Sequence, residues 1–397
     1  MTVFMMQKKL FLCFFTTLLL FSVLPFASSN AVAEGLSVSA KAAVLIEADT
    51  GRVLFAKNKD MQLPMASTTK ILTALITLES DNLDELFVVD EKAIQVEGSS
   101  MGLQSGDSAS LRTLACGMLL PSGNDAANAA AVRIGGSIAE FAAMMNQRAA
   151  AIGMTNSHFV TPSGLDDEQH YSTAHDMAKL ARVALKNNAF QDICSRNIAK
   201  VEFGNPPYER WLKNHNRLLN EYKGAIGVKT GFTKKSGRCL VSAAERDGVT
   251  LIAVTLNAPN DWQDHTLMFN YGFNGVKPQQ YDVKYEDIQL NVVGGKSAKV
   301  GVVPLTATMV NVEENKLQDI TQKVIAEHFY YAPIQAGDVV GKIELYLDGE
   351  EIGTATLIAA EDVQRDITEI KYSLWDKIKM WFNNLKYKII NYIHRLL

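Results

Sequence analysis

Apolar residues recur along this chain with two different periods, and the switches between them mark its elements. Positions 42–46 are apolar, Asp49-Thr50-Gly51 interrupts them, and Val53-Leu54-Phe55 resumes. Two apolar runs around a turn cluster predict a β-hairpin. Ile71, Leu72, Leu75, Ile76 and Leu78 then crowd most sides of a helix over 67–79, so that helix belongs in a core. Two further helical stretches, 111–120 and 125–134, are broken by Pro121-Ser122-Gly123. Another spans 138–152, and Thr173 is a capping residue for a helix that runs to Leu185.

Downstream the period shortens. Runs 238–244 and 249–256 flank Arg246-Asp247-Gly248, which predicts a second hairpin. Both runs are almost continuously apolar, so both faces of their sheet must be covered. From 276 to 370 the pattern stays strand-like, with Asp348-Gly349 turning 342–347 into 352–359. The expected organisation is an α/β domain over 35–275 and a small β-rich domain over 276–370. The stretch 371–397 differs again. Leu374, Ile378, Trp381, Phe382, Leu385, Ile389, Tyr392, Ile393 and Leu396 fall on one helical stripe. Six basic residues against Asp376 make this tail positive, on a chain whose formal charge is −4. A basic amphipathic helix with Trp and Tyr beside its apolar face predicts an anchor on a membrane surface.

Composition narrows the class. The chain has 397 residues, 47% hydrophobic and 21% charged, which predicts a globular protein of two domains or three. A net negative charge argues against a nucleic-acid partner. The seven histidines show no metal-ligand spacing: His170 and His175 are five apart, which misses one face of a helix. Lys8-Lys9, the apolar run 10–24 and Ala31-Val32-Ala33 together predict a cleaved export signal over 1–33. Cys13 leaves with that leader. Cys116, Cys194 and Cys239 remain, an odd set; Cys116 and Cys239 read as small buried hydrophobes, with one disulfide still open.

Three short motifs carry the chemistry. Ser67-Thr68-Thr69-Lys70 lies where loop becomes helix, and spacing i,i+3 puts a lysine amine beside a serine hydroxyl. A helix start also favours negative charge on a reacting serine. Ser122-Gly123-Asn124 follows a proline between two apolar helices, a setting that holds a loop rigidly. Its rivals, Ser28-Ser29-Asn30 and Ser195-Arg196-Asn197, fall in the leader and in a mixed polar stretch. Lys229-Thr230-Gly231 follows the strand-like Ile226-Gly227-Val228, whereas the rival Lys235-Ser236-Gly237 reads as a solvated turn. Gly231 lets a substrate backbone approach the strand closely. In this order the motifs point to acyl transfer through a serine whose base is a lysine, with no cofactor and no metal.

On these motifs, and on the stretches 117–127, 170–174 and 227–233, the chain resembles a low-molecular-mass penicillin-binding protein, the serine-type D-alanyl-D-alanine carboxypeptidases. The resemblance implies a penicillin-binding, β-lactamase-like serine transpeptidase domain, then the β-rich domain and the amphipathic helix. It implies Ser67 as nucleophile, Lys70 as base and Ser122 as proton relay to the departing D-Ala. Asn124 would orient Lys70 and hold the substrate amide. Lys229 and Thr230 would take the terminal carboxylate beside Gly231, and backbone N–H groups of Ser67 and Phe232 would form an oxyanion hole. Its substrate would be a peptidoglycan stem peptide, its covalent inhibitors β-lactams, and its place the outer face of the cytoplasmic membrane, peripherally held. An arginine common near Asn-x-Asn is absent from Asn214-His215-Asn216, and Arg217 follows. The competing readings are a D,D-endopeptidase, a β-lactamase with Glu168 as its only acid in place, and a catalytically dead wall-binding scaffold.

Overall fold

The computed structural model describes residues 36–367 and 373–396, which divide into two compact units. The expected leader over 1–33 lies outside the described residues, as does Lys371 of the tail. The first unit runs to Pro278 and takes in Asn311–Glu314; the second holds Gln279–Val310 and the residues from Asn315 onward.

In chain order the first unit's strands are β1 (Ala42–Glu47), β2 (Val53–Lys57), β3 (Phe87–Val88), β4 (Ser108–Ala109), β5 (Ile198–Gly204), β6 (Pro207–Lys213), β7 (Ala225–Thr233), β8 (Gly237–Arg246) and β9 (Val249–Leu256). One antiparallel sheet has the order β2-β1-β9-β8-β7 and a smaller one the order β3-β4-β5-β6. The longer helices are α1 (Lys70–Leu78), α2 (Leu111–Leu119), α3 (Asn124–Gly135), α4 (Ile138–Ile152), α5 (Ala174–Leu185), α6 (Asn188–Cys194) and α7 (Asp261–Gly275), and a single helical turn, Leu218–Glu221, lies between β6 and β7.

The larger sheet buries alternate residues on opposite faces, as the pleat requires. Val44, Ile46, Val241, Ile252 and Val254 join the helical core around α1. Leu45, Leu240, Leu251 and Ala253 turn the other way, against Met268, Phe269 and Phe273 of α7. This double cover explains the near-continuous apolar runs of β8 and β9. The cover itself, α7, has no clear apolar stripe, because its buried side includes polar residues. Asp264 accepts from Ser39 N at 2.8 Å and Ala40 N at 3.0 Å. His265 lies buried between Ser242 and Thr255. The hairpin β5–β6 is equally unmarked, since apolar and polar positions mix along it and Ile198, Tyr208 and Trp211 are exposed.

The helix expected over 67–79 begins as a 3-10 turn, Ala66–Thr69, and becomes α-helical at Lys70. Thr173 caps α5, its Oγ1 accepting from Asp176 N at 3.0 Å. Cys116, Cys194 and Cys239 are free and buried, and burial pushes their thiols up to about 11, 12 and 11. The second unit carries a six-stranded sheet in the order Thr321–Ile325, Val339–Leu347, Glu350–Ala359, Lys299–Pro304, Gln289–Val293, Tyr330–Tyr331. Asp348-Gly349 makes the turn between its second and third strands. A helix spans Leu374–Leu396; its described side chains, to Lys386, are exposed. No described helix is long and apolar enough to cross a membrane.

Candidate active site

The site is built around the turn that opens α1. Ala66 has φ 48, a left-handed conformation that costs a residue bearing Cβ about 1–3 kcal/mol. Thr68 Oγ1 donates to Met65 O at 2.6 Å and helps hold the turn. Ser67 stays half-exposed at its mouth, while Thr68, Thr69 and Lys70 are buried. Because Lys70 lies one turn on, its Nζ stands 2.9 Å from Ser67 Oγ.

Two more oxygens surround that amine. Lys70 Nζ donates to Asn124 Oδ1 at 2.7 Å and to the carbonyl of Ser163 at 2.7 Å. Asn124 opens α3, and its Nδ2 donates to Glu97 O at 2.6 Å, which turns Oδ1 toward the lysine. Complete burial holds the Lys70 amine well below the ordinary lysine range. The charge of Lys229 adds to this, and Asp125 opposes it.

Ser122 sits between α2 and α3 with φ 66, buried, two residues before Asn124. Gly123 N donates to Gly117 O at 2.8 Å and Asn124 N to Ser99 O at 2.7 Å, so backbone bonds lock this strained loop. Lys229 lies in mid-strand on β7, opposite Val241, and its Nζ donates to Thr230 O at 2.8 Å. Burial brings its amine down to about 7. Lys235 is exposed in the turn between β7 and β8. Thr230 and Gly231 are half-buried, and Phe232 is 65% exposed. A Cβ on Gly231 would stand 3.1 Å from the backbone nitrogens of Ser67 and Thr68, so β7 runs tightly along the Ser67 turn.

Ser67, Lys70 and Asn124 are thus in direct contact, with Gly231 against their turn and the Lys229 charge within reach of Lys70. Of the two residues beside Asn214, His215 feels Lys229: burial first, then that charge, lowers its pKa. Arg217 instead pairs with Glu221 at 2.7 Å. Glu168 is exposed. One contributor had no signature in the sequence, the Ser163 carbonyl. Thr161-Pro162-Ser163-Gly164 marks a tight loop, but nothing in it says which carbonyl turns inward.

Comparisons with known proteins agree on one group. Residues 28–260 match the family profile described as D-alanyl-D-alanine carboxypeptidase, and 275–365 that described as penicillin-binding protein 5, C-terminal domain. D-alanyl-D-alanine carboxypeptidase DacF of Bacillus subtilis is 31% identical over 365 residues, covering 87% of this chain and 92% of that protein. D-alanyl-D-alanine carboxypeptidase DacC of Escherichia coli is 30% identical over 393 residues, covering 92% and 96%. The crystal structure of penicillin binding protein 5 from Haemophilus influenzae superposes with a TM-score of 0.65 at 26% identity, over 83% of this chain and 98% of that one.

Proposed function

Because the chain belongs to the D-alanyl-D-alanine carboxypeptidase family, we propose that Ser67 and Lys70 are the nucleophile and base with which it removes the terminal D-Ala of peptidoglycan pentapeptides. The observation that carries this reading is the set of oxygens around Lys70. A neutral amine has two hydrogens and one lone pair. Asn124 Oδ1 and the Ser163 carbonyl accept only, so they take both hydrogens. The direction left for the lone pair is Ser67 Oγ, 2.9 Å away.

The serine hydroxyl then donates to that lone pair. As Oγ bonds to the carbonyl carbon of the penultimate D-Ala, its proton passes to Lys70 and the carbonyl electrons move to oxygen. Backbone N–H groups of Ser67 and Phe232 are the proposed donors to that oxygen, supported by the close run of β7 along the Ser67 turn. Collapse breaks the C–N bond, and the leaving amine takes a proton through Ser122, which Lys70 resupplies. Water attacks the ester on Ser67 and frees the shortened peptide. Lys229 and Thr230 hold the terminal carboxylate, Lys229 as a buried charge. β-Lactams enter the same sequence and stay on Ser67.

The proposed organisation is a peptidase domain over 35–275, a β-rich domain over 276–370 and an anchoring helix over 371–397. Export by the leader and peripheral attachment at the outer membrane face complete the reading. The exposed Leu374, Trp375, Trp381 and Phe382, set among lysines, support the anchor. The test is mass spectrometry of products from a pentapeptide and from a cross-linked peptide, with Ser67→Ala as control. Release of D-Ala from the first by wild type alone supports the carboxypeptidase. Cleavage of the cross-link alone makes the enzyme an endopeptidase.

A further inference from the structure

His170 is a buried imidazole, 3% exposed, 100 residues after Lys70 in sequence and one hydrogen bond from the residue preceding it. Its protonation pattern follows from its neighbours. Nδ1 faces two backbone donors, Val160 N at 2.9 Å and Thr161 N at 3.3 Å. It must therefore accept and carry no proton. The ring proton is on Nε2, which faces Thr69 Oγ1 at 2.8 Å and donates to it. Burial pushes the imidazole down to about 4, so this single neutral tautomer persists at neutral pH.

The two ends of the ring join two parts of the Lys70 surroundings. One is Thr69, whose backbone leads straight into Lys70. The other is the loop 160–165, which presents the Ser163 carbonyl to Lys70 Nζ at 2.7 Å. Thr73 of α1 holds the same loop by donating from Oγ1 to Pro162 O at 2.6 Å. Gly164, at φ +81, lies so close that a Cβ there would meet Ala66 O at 2.0 Å. The loop is seated on the nucleophile's turn, and His170 bridges its start to that turn.

The structure assigns His170 as a positioning residue for Lys70: by bridging Thr69 and the loop 160–165, it keeps the Ser163 carbonyl where it can take one hydrogen of the lysine and aim the lone pair at Ser67. This rests on Lys70 being the base, as proposed above. A displacement of about 1 Å in such a group is enough to cost a hundredfold in rate.

The experiment is the pre-steady-state acylation of the full chain by a fluorescent penicillin, which separates noncovalent affinity from the acylation rate constant. His170→Leu should lower the rate constant by about a hundredfold, with affinity unchanged. His170→Asn keeps an acceptor at the Nδ1 position and should recover most of that loss. A folding defect alone would reduce the active fraction and leave the rate constant of the remainder intact. If His170→Leu melts below the assay temperature, Thr69→Val decides; it keeps the imidazole but removes the Nε2–H acceptor, and a fall of about tenfold is expected. A rate constant equal to wild type in the folded variant overturns the assignment. Failure of wild type itself to be acylated would instead remove the proposed function, so the two failures are distinct.

Discussion

Lys70 Nζ and Asn124 Oδ1 lie 2.7 Å apart although 54 residues separate them in sequence. The bond is directional because Asn124 Nδ2 is already committed to Glu97 O. An amide at this place offers the lysine an acceptor without offering it a charge. That distinction matters for a base that must be neutral, and it can be tested.

Asn124→Asp would set a carboxylate beside Lys70. Opposite charge favours the ammonium, so the lysine pKa should rise. The acid limb of the acylation rate against pH should move upward, and activity at pH 7 should fall. An acid limb that stays in place would show that Lys70 is not the group that titrates.

Ser67→Ala should abolish both D-Ala release and covalent labelling by penicillin, since the acyl-enzyme has lost its oxygen. Removing one hydroxyl at a helix start costs at most about 2 kcal/mol, so the fold should persist in a thermal melt. Peptide mapping of labelled wild type checks the assignment directly; a label on the peptide holding Ser122 contradicts it.

Lys229→Ala should cripple acylation, while Lys235→Ala should leave it near wild type. Lys229 is buried in β7 beside the site, and Lys235 is solvated in the following turn. Measured acylation rates that fall equally in both variants would reject this division.

Activity against pH should be bell-shaped. Lys70, as the proposed base, would act only when neutral, so the rate should rise as pH climbs through its depressed pKa. Lys229, as the proposed carboxylate holder, would bind only when charged, and burial holds it at about 7 in the free enzyme. KM for a D-Ala-D-Ala peptide should therefore rise above about pH 7. Lys229→Arg keeps its charge well past this range and should flatten the alkaline limb. Should the limb survive in that variant, another group is responsible for it.

Truncation after Ile370 should release the protein from membranes and spare activity on soluble peptides. The tail's basic residues contribute roughly 1 kcal/mol each near anionic lipid. That share weakens with salt, as the Debye length is about 10 Å at 0.1 M and shorter above it. The apolar share does not weaken, so high salt should elute the full chain only partly and detergent should complete the release. Cosedimentation with anionic vesicles reads the outcome; equal binding by the truncated form excludes the helix as anchor.

What the sequence determined by itself was local. Spacing i,i+3 was enough to bring Ser67 and Lys70 together, because helical geometry brings such residues onto one face. The apolar runs of β8 and β9 required a sheet covered twice, and strand context separated Lys229 from Lys235. The tertiary structure alone decided the rest. It joined Asn124 to Lys70 across 54 residues, laid Gly231 along the Ser67 turn, and folded the loop 160–165 so that Ser163 turns its carbonyl inward. It also supplied α7, whose buried Asp264 and His265 hide its apolar face from any periodicity. The physical reason is common to all of these. Every residue carries a carbonyl and every residue but proline an N–H, and a polar side chain satisfied in a core looks in sequence like one in solvent. Which of them faces a lysine depends on packing between distant segments, and spacing along the chain holds no record of that.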